Sequence, residues 1–346
     1  MSLFSKQLYT PVQESLVADS YEIDDQGFDI LGESFLADVV IECNDEVTRT
    51  ISSLCITDLL VESGMGTVTE AAGESLKAAK DKVVATFKNA WAKISAWFKK
   101  IIHDMGIMFT SAKKFYDKYK NEIAEKRKTM PKVEIKKFRK YNDELITNLI
   151  NVPQDASDAV GRVIGEHEKV AQNDKPALSQ SEIVERVAER VSSLLGKADN
   201  NIKSVSAMKK AFVNSAYEDK ENYVVDASDM DTLIDFMANS SKRINLINKA
   251  KADVDKFMQA AIRAAMGADD TVTLKINAQT YNAGVSVVNG IIPTAVALIK
   301  QSNNYAVSFF KQYLTRAKVK VDKKNKTINA SESATISTFD EVYGII

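Results

Sequence analysis

The sequence predicts a mainly α protein: a multi-helix body behind a poorly structured acidic N-terminal segment, with a small β element near the C-terminus. Three observations predict this. Pro (5) and Gly (13) are scarce among 346 residues, so the turn signals a sheet protein needs are few. Ala, Lys, Glu, Leu and Ile, mostly strong helix formers, dominate the middle of the chain. Beyond residue 67, apolar residues recur at spacings of three, four and seven, the period of one helix face. The divisions expected are an acidic segment at 1–66, a basic amphipathic helical region at 67–150, and a helical domain at 151–346 ending in a hairpin.

Residues 1–28 show no period and many acids, the pattern of coil or a few short strands. Ile51, Leu54, Ile56, Leu59 and Leu60 approach helical spacing, and Ser63-Gly64 is a stop. Thr67 or Thr69 can cap the next helix, whose stripe runs through Leu76, Val83, Phe87, Trp91, Ile94, Phe98, Ile101 and Met105. Gly106 is expected to kink or end it. A second, highly charged helix over 110–130 stops at Pro131. Residues 132–142 alternate Val133 and Ile135 and then reach Phe138, which fits a strand or a helix entry. The segment "DELITNLINVP" ends at Pro153, and a helix with an Asp/Ser start covers 155–172. Another covers 179–198, capped by Ser179 or Ser181, with Ile183, Val187, Val191, Leu194 and Leu195 inward and Gly196 closing it. Residues 226–267 read as one long helix or a pair, and a further helix is expected at 280–318. Residues 318–333 read as a β-hairpin turning at 322–325.

A chain that is 45% hydrophobic and 27% charged buries an ordinary soluble core. Cys43 and Cys55 are too few for a disulfide framework, so reduced thiols and an intracellular site of synthesis are expected. The N-terminus has no apolar run of the secretory type. The most apolar stretch, 283–300, is interrupted by Asn289, Gly290 and Pro293 and reads as a buried helix.

Catalytic constellations are nearly missing. His103 follows Ile101-Ile102 and belongs at the edge of a packed face, and His167 sits among acids on a solvated one. No phosphate loop, dinucleotide fingerprint or HExxH occurs. The acids of "DASDMD" (226–231) lack the central Gly and terminal Glu of a calcium loop and read as a helix cap. The expectation is no enzyme, no metal and no cofactor.

The charge layout is the strongest signal. Residues 1–62 hold two bases and 13 acids, a net of −11. Residues 77–142 hold 19 bases and six acids, a net of +13, with Lys outnumbering Arg 17 to 2. Three readings fit. Lys93, Lys99, Lys100, Lys113, Lys114, Lys118, Lys136, Lys137 and Arg139 can meet the DNA phosphate backbone non-specifically; lysines favour point-charge contact over base reading. Alternatively Phe87, Trp91, Ile94, Trp97, Phe98 and Ile101 form a face for a membrane surface or a partner groove, with the acidic prefix as its inhibitor. In the third reading that face is simply core.

The border between acidic and basic parts carries Leu60-Val61-Glu62 followed by Ser63 and Gly64. This resembles the Leu/Ile-x-Glu cleavage pattern of prohead proteases in large tailed bacteriophages. The same tripeptide form recurs at Glu33, Glu125, Glu166 and Glu185, but only Glu62 stands at the charge border. The resemblance implies an internal head or core protein of the virion. Such a protein would be matured after Glu62 inside the capsid and would contact packaged DNA or other virion proteins. Removing the prefix would leave a product of net charge +10 with its bases free for phosphate.

Overall fold

A computed structural model describes residues 42–43, 45–50, 70–172, 179–194 and 204–315. It is mainly α with one two-stranded antiparallel sheet. The first long element, α1 (Glu70–Thr129), is a single helix of 60 residues, about 90 Å long at 1.5 Å per residue. Its inner stripe is the predicted one: Val83, Phe87, Ile94, Phe98, Ile101 and Met105 are all buried, and the stripe continues through Phe109 and Ala112. Gly106 does not end it, since the helix runs on unbroken to Thr129. The stripe stays in phase on both sides, and nothing lies within 4 Å of a Cβ placed there. The helix stops where Pro131 forbids a further turn, with Lys126, Arg127 and Lys128 against the negative end of its dipole.

Strand β1 (Val133–Tyr141) follows, resolving the ambiguity at 132–142. Next come α2 (Asp143–Leu149), capped by the Asn142 side chain, and α3 (Val152–Gln172). Pro153 begins α3 rather than ending what precedes it, because a first-turn residue needs no N–H partner. Helix α4 (Gln180–Leu194) starts at a reciprocal cap: Ser179 N–H donates to Glu182 at 2.8 Å, and Glu182 N–H to Ser179 Oγ at 3.3 Å. Its inward Ile183, Val187 and Val191 are as predicted. Helix α5 (Val205–Ala216) and strand β2 (Tyr217–Val225) were not foreseen. Residues 226–267 form the pair α6 (Ala227–Ala238) and α7 (Ser240–Met266), and the acids of "DASDMD" do cap a helix: Asp226 accepts from the Ser228 and Asp229 N–H groups. The last described element, α8 (Thr271–Thr315), is longer than predicted. Leu60, Val61, Glu62, Ser63, Leu195, Gly196 and the hairpin at 318–333 lie outside the described residues.

Helix α8 is the axis of the fold. It packs against α1 and every helix from α2 to α7, and is buried almost all round. Two glycines permit this closeness. A Cβ at Gly284 would stand 2.6 Å from Phe257 Cζ of α7 and 2.8 Å from Val160 Cγ2 of α3; one at Gly290 would collide with Val205 of α5. By length and composition α8 could cross a membrane, with a mean hydropathy of 1.6 in its most apolar window, but 83% of that window is buried inside the fold. One cluster of buried side chains joins Cys43 to Tyr313, so the helical regions before and after residue 150 share a core.

Candidate nucleic-acid interface

The bases nominated from sequence fall on two supports, α1 and β1. On α1, packing decides which face is free. The apolar stripe lies against α7, α6 and α8, which turns the lysines to solvent. Phe87, Ile94, Trp97, Phe98 and Ile101 are therefore buried, and Trp91 is half-buried with its indole N–H donating to Asp255 Oδ1 at 2.6 Å. The face expected to meet a bilayer or partner groove is instead interior. An apolar stripe of this width gains more from a preformed helical partner in the same chain than it can while exposed.

Lys99, Lys100 and Lys114 are exposed and form no ion pair among the described residues. They rise along one helix, with Lys118 one turn beyond Lys114. Lys113 reaches Asp117 at 3.2 Å, an exposed i,i+4 pair that solvent weakens. The Lys118 ammonium lies 5.2 Å from the Tyr119 ring centroid. Lys93 is ion-paired with Glu42 of the acidic prefix. From Glu70 to Thr129, α1 carries 14 bases and seven acids, so its solvent face is positive over most of its length.

The bases of β1 are differently placed. The ladder sets Lys137 opposite Glu221, Arg139 opposite Asp219 and Lys140 opposite Glu218, so a basic strand lies on an acidic one. Arg139 Nε and Nη2 bond the two Asp219 carboxylate oxygens at 2.7 and 3.0 Å. Its pKa rises above the ordinary arginine value, chiefly through that hydrogen bonding. Lys140 pairs at 3.0 Å with Asp229, a buried carboxylate that also accepts from Tyr223 Oη. Arg139 therefore joins two strands rather than presenting free charge, while Lys136 and Lys137 are exposed. Between the well-paired ends, the ladder register passes over Lys136 and Asn222, and Asn222 adopts φ 47°, the left-handed region that Asn tolerates. The inward positions change parity across this step, from Val133 and Ile135 to Phe138.

Beneath the ribbon, Phe138 stacks on Tyr223 with centroids 5.2 Å apart and meets Tyr305 and Phe309 of α8 edge-on. Tyr305 Oη accepts the Arg139 backbone N–H at 2.8 Å, so α8 also satisfies a β1 donor. Burial raises the Tyr305 and Tyr141 hydroxyls above the ordinary tyrosine range, which keeps this seam neutral. The seam was missed in sequence because its two strands are about 80 residues apart.

No group of three or more His, Cys, Asp or Glu side chains able to hold a metal occurs among the described residues, and His103 is exposed. A small cavity beside the ribbon, lined by Arg139, Tyr141, Asp229 and Phe236 among others, has a volume of about 30 Å³. No protein-family model matches the chain, and no curated sequence or solved structure is detectably similar to it.

Proposed function

We propose that the protein is a non-enzymatic structural component of a virion interior whose helix α1 contacts packaged DNA through its phosphates. The observation that carries the reading is the solvent face of α1, where Lys99, Lys100 and Lys114 stand exposed and without ion pairs among the described residues. Point charges strung along a rigid helix suit a uniform line of phosphates and need no base contact. The acidic prefix and the Leu60-Val61-Glu62 pattern at the charge border support the same reading.

The test is duplex DNA binding by the full chain, followed by fluorescence anisotropy across a salt series. Affinity should fall steeply with salt and vary little with sequence. Replacing Lys99, Lys100 and Lys114 by Glu should weaken binding and reduce the log–log salt slope by about 3. Absence of binding at low salt, or a slope unchanged in the triple variant, removes the reading. The intact mass of protein from its native particles tests maturation: a species beginning at Ser63 supports it, and one beginning at Met1 or Ser2 refutes it.

A further inference from the structure

The part of the acidic prefix that the structure describes lies against the core. Residues 42, 43 and 45–50 are helical, and Cys43, Val47 and Thr50 fall at spacings of four and three on one buried face. Cys43 is 2% exposed and Val47 1%. The opposite face keeps Glu42 and Asp45 in solvent, and Glu46 pairs with Arg49 at 2.7 Å. The carboxylate of Glu42 meets the ammonium of Lys93, one of the lysines nominated for phosphate.

The two kinds of contact differ in weight. The Lys93 and Glu42 side chains are 35% and 60% exposed, so their pair contributes little. Burial of Val47 and Cys43 is the stronger hold. Apolar anchoring thus fixes an acidic segment beside α1, and charge determines what it covers.

We infer that residues 42, 43 and 45–50 are an intramolecular cover on the basic helix, anchored by Cys43 and Val47 and mutually exclusive with phosphate at Lys93. This rests on the phosphate reading of α1. Exclusion is reciprocal: detaching the cover must tighten DNA binding, and DNA must loosen the cover by the same factor. Maturation after Glu62 would then act on a docked segment and uncover apolar surface as well as charge.

Cys43 reports the state of the cover. Its thiol is buried and pushed up to about 12, first by burial and then by the Glu42 charge, so alkylation should be slow while the segment is docked. The experiment measures iodoacetamide labelling at Cys43 by peptide mass spectrometry in the full chain, alongside affinity for a duplex of about 20 base pairs in about 50 mM salt. Val47→Asp should speed labelling at least about tenfold and tighten duplex binding by about threefold or more. The substitution adds a negative charge, so tighter binding can come only from displacement. Val47→Ala, which leaves the core apolar, should move both readouts the same way by less. In the unaltered chain, saturating duplex should accelerate labelling.

Faster labelling with unchanged affinity makes the segment packing only and overturns the inference. Labelling of the unaltered chain as fast as in urea also overturns it. If Val47→Asp exposes Cys43 yet no chain binds duplex, the phosphate reading itself has failed and the competition falls with it.

Discussion

Arg139 of β1 and Asp219 of β2 form a two-point clasp across the ribbon, with the guanidinium 4.2 Å from the Tyr217 ring centroid. A base that reads from sequence as a phosphate contact is thereby a strand fastener. Arg suits the position because its planar fork matches a carboxylate and stacks on an aromatic ring, which an ammonium cannot do. Asp219→Ala should cost about 1 kcal/mol, since Asp219 is 57% exposed and solvent screens much of the attraction. Arg139→Lys should cost a similar amount. Both are read as lower urea midpoints at unchanged slope, and DNA affinity should not fall in either variant. An unchanged midpoint would show that the aromatic seam alone holds the ribbon.

The glycines of α8 should be intolerant of a single methyl. Gly290→Ala places a carbon into Val205, and Gly284→Ala drives one against Phe257 and Val160. Each should destabilise by about 1–3 kcal/mol, although Ala is the better helix former. Adding Val205→Ala to Gly290→Ala should recover part of the loss, giving a non-additive double-mutant cycle. Simple additivity would mean that α5 and α8 do not meet there.

Asp155 should make the protein less stable as pH rises through the weakly acidic range. Burial, then the nearby Asp158 charge, raises its carboxyl to about 6, with Lys249 opposing. A carboxyl that holds its proton more tightly when folded favours the folded state below its unfolded pKa of about 4, and this advantage is lost as pH climbs to about 6. Asp155→Asn should therefore stabilise the chain at neutral pH by on the order of 1 kcal/mol, reduced because the group is partly solvated, and change little near pH 3. Chemical denaturation of both chains at the two pH values decides it.

Asp255 should behave in the opposite sense. Burial alone would raise its pKa, but hydrogen bonds from Lys251 at 2.6 Å and from Trp91 outweigh that and hold it below the usual carboxylate range. Its contribution is present above the unfolded value of about 4 and disappears as acid titrates the folded carboxylate. Asp255→Asn should cost about 1–2 kcal/mol at pH 7, with the difference from the parent shrinking at pH 3. Trp91 fluorescence follows both titrations. A constant difference across this range would mean that the carboxylate charge is not what holds the indole.

The inner stripe of α1 was legible because one packing face imposes one period, and every residue from Val83 to Met105 in it obeys that period. Gly106 misled because a glycine has no reason to end a helix whose stripe continues past it. β2 was illegible. Its run Glu218-Asp219-Lys220-Glu221 has neither alternation nor apolar content, and it becomes a strand only because β1 supplies complementary charge and α8 supplies Tyr305 beneath. The same tertiary pairing explains the candidate interface. Sequence could nominate Lys137 and Arg139 as readily as Lys99 and Lys114, since the acids opposite the first two lie about 80 residues away. It could place the Trp91 face on one side of a helix but not decide whether lipid, a partner or α7 would cover it.

Tyr141 faces Tyr217 in the ladder, and Asn142 N–H donates to Ala216 C=O at 2.8 Å, so the chain leaves the ribbon for α2–α5 and returns to the same place. Closing an excursion of about 75 residues costs chain entropy before any strand contact repays it. The helices form from local contacts; the ribbon cannot zip until α2–α5 have collapsed and brought their ends together. Refolding should therefore be sequential, with Arg139 and Asp219 meeting among the last. In that order of events, the excursion behaves as an inserted module, and the ribbon is the seal that records its completion.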